Sequence, residues 1–111
     1  MNYCVYVIEL DREFAESRKA RKANPLRNPE LPCLYVGYTS KSPEVRYREH
    51  MRGTCNRKGP IYSKVVYKYG VRLRPKLYEK YNPIGTQNEA METEVLLAEA
   101  LRKKGYTVWQ N

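Results

Sequence analysis

The chain has 111 residues, 41% of them hydrophobic and 30% charged, with 21 Lys and Arg against 12 Asp and Glu. That is the length of one domain with a single modest core, and the balance excludes a wholly disordered or fibrous chain. No apolar run approaches the ~18 residues that cross a bilayer, and the amino terminus lacks the basic region of a signal peptide, so the sequence reads as a soluble, cytoplasmic protein with no membrane role.

A net charge of +9 favours a polyanionic partner, nucleic acid first. Anionic membrane is set aside because the cations are interleaved with tyrosines and form no single amphipathic basic helix. The three cysteines, Cys4, Cys33 and Cys55, include no C-x-x-C pair and read as reduced thiols, not as a disulfide framework or zinc ribbon. Eleven tyrosines stand against one Phe and one Trp. Most fit amphipathic packing, leaving position to identify the few that stack or transfer protons.

Residues 3–10 are β-branched and aromatic without a breaker and predict a strand, with Cys4, Tyr6 and Ile8 on one face. The polar segment Asp11 to Pro32 carries Arg18, Lys19, Arg21 and Lys22, then Asn24-Pro25 and Asn28-Pro29, and predicts a solvated helix followed by loop. Its basic cluster reads as solvated surface, with phosphate contact as the alternative. Cys33 to Thr39 predicts a second strand, antiparallel to the first, with Tyr35 and Gly37 on the same face. Ser42-Pro43-Glu44 opens a helix that Gly53 ends. Tyr62, Val65, Val66 and Tyr69 mark a helix over 61–69 closed by Gly70, and Val71 to Tyr81 predicts an edge strand interrupted at Pro75. Thr86-Gln87-Asn88-Glu89 is a capping box opening the longest helix, which runs to about Lys104, and Tyr106 to Trp109 predicts a short last strand.

Three features carry chemistry. Tyr6 and Tyr35 lie in strands, and Gly37 leaves the Tyr35 face open to close approach. Arg46 and His50 are spaced i, i+4 on one helix face, whereas Arg48 and Arg52 form a similar pair about 200° away. On the long helix, Ala90, Met91, Leu97, Ala98 and Leu101 all fall within about 60° of Glu94, placing an acid near the centre of the apolar stripe, with Glu92 and Glu99 on the opposite side. A buried carboxylate needs compensation, from a divalent metal or from Arg46, and a buried salt bridge without chemistry would serve as well.

Cys4-Val5-Tyr6 and Tyr35-Val36-Gly37, followed by Arg46, His50 and the Ala90-to-Glu94 segment, resemble the ordered signature of the GIY-YIG endonuclease superfamily across essentially the whole chain. The resemblance implies one nuclease-like domain over 1–111, an α+β fold with a small three-stranded antiparallel sheet flanked by helices. It also implies a metal-dependent DNA endonuclease in which Glu94 holds Mg²⁺ or Mn²⁺, Arg46 contacts the scissile phosphate and Tyr6 is the general base, its phenolate favoured by nearby cations. His50 and Tyr35 would position water or substrate and relay protons, with Gly37 structural at the site. Cys4 stands where the family has its first glycine. The family's asparagine has no clean counterpart: Asn111 would fit only a register with Glu99 as ligand, which its polar face argues against. The Asp11-to-Pro32 connection exceeds the family's minimal hairpin and reads as an added DNA-contacting element. Lys41, Arg48, Arg52, Arg57 and Lys58 read as phosphate contacts outside the centre. Selectivity, with no groove-reading helix in the sequence, would come from DNA shape, a homodimer or a separate targeting protein. The rival readings are a catalytically silent nucleic-acid-binding module on the same fold and a small basic RNA-binding protein.

Overall fold

The computed structural model of the protein describes residues 2–110. Strands β1 (Cys4–Leu10) and β2 (Cys33–Thr39) pair antiparallel along their whole length, from Cys4 opposite Thr39 to Leu10 opposite Cys33. Both are covered on both faces, which is why they read as near-continuous apolar runs. Between them lie two short helices, α1 (Arg12–Ala15) and α2 (Arg18–Ala23). After β2 come α3 (Pro43–Arg52), a two-stranded ribbon of β3 (Cys55–Asn56) and β4 (Gly59–Pro60), α4 (Lys64–Tyr69) and β5 (Gly70–Leu73). Two 3-10 turns, Pro75–Leu77 and Glu79–Tyr81, lead to α5 (Gln87–Lys103) and β6 (Thr107–Trp109).

The main sheet has four strands in the order β5-β1-β2-β6, and it is mixed. β5 is antiparallel to β1, but β6 runs parallel to β2, from Cys33 opposite Thr107 to Tyr35 opposite Trp109. This corrects the three-stranded antiparallel sheet implied by the resemblance. α5 packs across β1 and β2 and delivers the chain back beside β2, where Thr107 and Val108 are buried.

Local signals explain the element ends. Ser42 caps α3 by accepting from the Val45 N–H at 3.1 Å, and Gly53 closes it in the left-handed region at φ 64°. α4 begins at Lys64 rather than residue 61, because Ser63 accepts from the Val66 N–H and sets the cap there. Thr86 caps α5 through the Glu89 N–H, as the capping box predicts.

The Asp11-to-Pro32 segment departs most from its expected solvated character. Phe14 and Ala20 are fully buried, and the Phe14 ring meets Trp109 edge-on at 5.7 Å. Buried Asn24 pins the segment to β6: its Oδ1 accepts from the Val108 N–H at 2.9 Å, and its Nδ2 donates to the Val108 carbonyl at 2.9 Å and the Ala20 carbonyl at 2.8 Å. Arg18, Lys19, Arg21 and Lys22 remain exposed. No helix of the described residues is long and apolar enough to cross a membrane.

Candidate active site

Four elements converge on one open cavity of ≈ 390 Å³, to which β1 brings Tyr6, β2 brings Tyr35, Gly37 and Tyr38, α3 brings Arg46, and α5 brings Met91, Glu94 and Val95. The strand pairing sets Tyr6 directly across from Gly37 and diagonal to Tyr35, with the two tyrosine rings 6.2 Å apart. A Cβ at residue 37 would lie 2.6 Å from Tyr6 Oη and 2.7 Å from its Cζ, so the missing side chain is the space that the Tyr6 ring occupies.

His50 lies elsewhere than the sequence suggests. It is fully buried and does not line the cavity, so it cannot touch substrate or water there. Its Nδ1 accepts from the Ser63 backbone N–H at 2.8 Å, and its Nε2 lies 2.9 Å from Tyr6 Oη. An Nδ1 that accepts carries no hydrogen, so the neutral ring carries its proton on Nε2 and donates to the tyrosine oxygen. Burial, aided by the Arg46 charge, lowers the His50 pKa to about 4 and keeps the ring neutral. His50 therefore does not position water or substrate directly, and its link to the cavity runs through Tyr6 Oη. One turn apart on α3, Arg46 borders the cavity and reaches the Ile61 carbonyl, while His50 turns inward to the buried Ser63 N–H.

Tyr6 is also buried, and in the protein alone the cation beside it, Arg46, favours its phenolate only in part. Burial and then Tyr35 push its pKa well above the ordinary phenol value, and Arg46 only partly opposes them. Burial likewise raises Tyr35, with Arg46 opposing. Arg46 is half-buried and held by the Ile61 carbonyl and by Glu49 Oε1 at 3.2 Å, while still bordering the cavity.

Glu94 is half-buried at the cavity wall, not sealed in a core; Met91, counted within its stripe, is 46% exposed. The helical angle is as expected, but the cavity kept open beside Gly37 lies where packing would otherwise close. Arg46 pairs with Glu49, and among the described residues no cation lies within salt-bridge distance of Glu94. Burial pushes its pKa up, opposed by a hydrogen bond from Gln110 Nε2 to Glu94 Oε1 at 3.0 Å. Gln110 was not legible as a site residue: it lies 16 residues beyond Glu94, and only the parallel pairing of β6 brings it back. Asn111 lies outside the described residues.

Of the five cations expected to flank the site, Lys41 is engaged by Glu49. Arg48 and Arg52 border a separate shallow cavity on α3, and Arg57 and Lys58 sit exposed at the β3–β4 turn, so none of the five lines the central cavity. Among the described residues no three His, Cys, Asp or Glu side chains gather as a metal cluster, and Glu94 is the single carboxylate lining the cavity. That donor set fits Mg²⁺, which commonly takes one or two carboxylates and completes its octahedron with water and substrate phosphate.

No model of a known protein family, no curated protein and no solved structure matches this chain.

Proposed function

We propose that this chain is a metal-dependent endonuclease that hydrolyses DNA phosphodiester bonds on a GIY-YIG-like domain in the cytoplasm. The observation that carries the reading is the meeting of two tyrosines, an arginine and one cation-free carboxylate in a single open cavity on a protein of net charge +9.

Each residue has a task set by its chemistry. Arg46, already fixed by Glu49 and Ile61, binds the non-bridging oxygens of the phosphate by charge-assisted hydrogen bonds. Glu94, oriented by Gln110, holds Mg²⁺ or Mn²⁺. That ion, when bound, supplies charge neutralisation at the phosphate and at the leaving oxygen. Tyr6 acts in its phenolate form, which the His50 N–H directed at Oη, the Arg46 charge and a bound cation would favour; the phenolate takes the proton of the attacking water and becomes the phenol. Tyr35, at the same wall, orients the water by its hydroxyl. With one cavity that gathers these residues among the described ones, each copy cuts one strand, and a homodimer or a separate targeting protein would pair or direct the cuts.

The test is nicking of supercoiled plasmid with Mg²⁺, Mn²⁺ or EDTA by the wild type, Glu94→Gln and Glu99→Gln. Metal-dependent nicking lost in Glu94→Gln and kept in Glu99→Gln is expected. DNA binding with no cleavage under any metal would refute catalysis and leave a silent binding module; the reverse carboxylate pattern would refute the choice of Glu94.

A further inference from the structure

Beside β6, the chain after α2 and the last turn of α5 enclose a second slot of ≈ 210 Å³. Its wall is largely apolar, with contributions from Pro25 and Leu26, and Arg27, Arg102 and Lys103 border it with no carboxylate among the lining residues. Arg102 is a structural member, donating from Nε to Asn24 Oδ1 at 3.2 Å and from Nη2 to the Val108 carbonyl at 3.3 Å. The other two are not so engaged. Arg27 Nε is buried with no hydrogen-bond partner, and among the described residues neither Arg27 nor Lys103 has a carboxylate within salt-bridge distance. Arg46 and Arg74, which are comparably sheltered, each have one. Glu16 feels the Arg27 charge only at longer range, so a partly buried guanidinium with an unpartnered Nε and no direct ion pair keeps capacity for an anionic ligand. Leu26, 89% exposed at the slot, is likewise left without a cover.

An apolar slot rimmed by cations that make no direct ion pair matches a sugar-phosphate unit, whose ring carbons can enter the slot while the phosphate meets Arg27 and Lys103. A free nucleotide and a polynucleotide backbone share this chemistry. Placement favours the backbone: the slot and the catalytic cavity share α5, along which Glu94 and Arg102 lie about 12 Å apart, a span that a polynucleotide covers and a free nucleotide does not. We propose that this slot grips the sugar-phosphate backbone of the nucleic acid whose scissile phosphate enters the catalytic cavity, making the Asp11-to-Pro32 segment a clamp. The proposal rests on the reading of the partner as nucleic acid and does not depend on cleavage.

Duplex binding is measured by anisotropy in EDTA between 50 and 300 mM salt for the wild type, Arg27→Gln, Lys103→Gln, the double variant, and Lys76→Gln beside the opposite, β5 edge of the sheet. Each slot substitution should lower the slope of log affinity against log salt by about 0.9, and the double variant by about 1.8. Lys76→Gln should leave the slope near that of the wild type, and Lys103→Gln, at an exposed position, keeps the test sound if Arg27→Gln folds poorly. A deoxynucleoside monophosphate at millimolar concentration is added as competitor. Failure to compete supports the backbone, whereas displacement that is lost in the double variant would overturn it in favour of a free-nucleotide site. Unchanged slopes in both single variants would refute the slot altogether. Reduced slopes with no plasmid nicking would refute the nuclease reading alone, and nicking with unchanged slopes would refute this proposal alone.

Discussion

Lowering the pH from neutral toward 4 should destabilise this protein, over and above its paired carboxylates, through His50. Its ring is neutral in the fold, with Nδ1 receiving the Ser63 N–H and Nε2 donating to Tyr6, and its pKa lies near 4 against an ordinary value of 6.5. The groups facing it are Tyr6, Tyr35, Arg46 and Glu49, of which Arg46 further disfavours a second positive charge and Glu49 favours it. Because the folded value lies below the unfolded one, the unfolded chain takes up the proton first. The stabilisation is whole above about pH 6.5, is lost progressively as pH falls, and is gone near pH 4. At about 1.4 kcal/mol per pH unit across that window, the loss is about 3 kcal/mol, a large share of the stability of a small domain. Urea unfolding followed by fluorescence of Trp109, the single tryptophan, measures it from pH 7.5 to 4. The comparison is His50→Gln, whose amide offers one acceptor and one donor but does not titrate, so that the carboxylates contribute alike to both proteins. The wild type should lose about 3 kcal/mol more than the variant over this range. Equal pH dependence in the two proteins would refute the buried neutral ring.

Three more expectations follow from the same geometry. Tyr6→Phe removes the proton acceptor and strands the His50 N–H, so cleavage should fall ~10²-fold or more while stability drops by about 1–2 kcal/mol; an unchanged rate on folded protein would make Tyr6 a packing residue only. Gly37→Ala would press a methyl to within 2.6 Å of Tyr6 Oη, so the ring must move by roughly 1 Å at a cost of about 1–3 kcal/mol, and a wild-type melting temperature and rate would contradict that close approach. Affinity for unrelated duplexes should fall steeply with salt and differ little among sequences, since the exposed cations are scattered over several elements; a ~10³-fold preference for one short sequence at physiological salt would argue for base readout instead.

Much of this molecule was written locally. The β-branched runs at Cys4–Leu10 and Cys33–Thr39, the Ser42-Pro43 cap, the Thr86 capping box and the Gly53 stop are short-range preferences, and each formed as its residues dictate. The same periodicities placed Tyr6, Tyr35, Gly37, Arg46 and Glu94 on elements that could meet, and the cavity joins them. What the sequence could not decide were matters of partner and depth. The three residues of β6 carry no mark of direction, and only the packing of α5 over the sheet sets them parallel to β2 and brings Gln110 to Glu94. Arg46 and His50 share one helix face in sequence, yet tertiary contacts send one to the cavity wall and bury the other against Ser63. The Asp11-to-Pro32 segment looked polar and solvated because its anchors are few: Phe14, Ala20 and a single asparagine whose four hydrogen-bond partners lie on α2, α5 and β6. Helical and strand periods are properties of neighbours along the chain, whereas burial, tautomer and counter-charge belong to groups that only folding brings within reach.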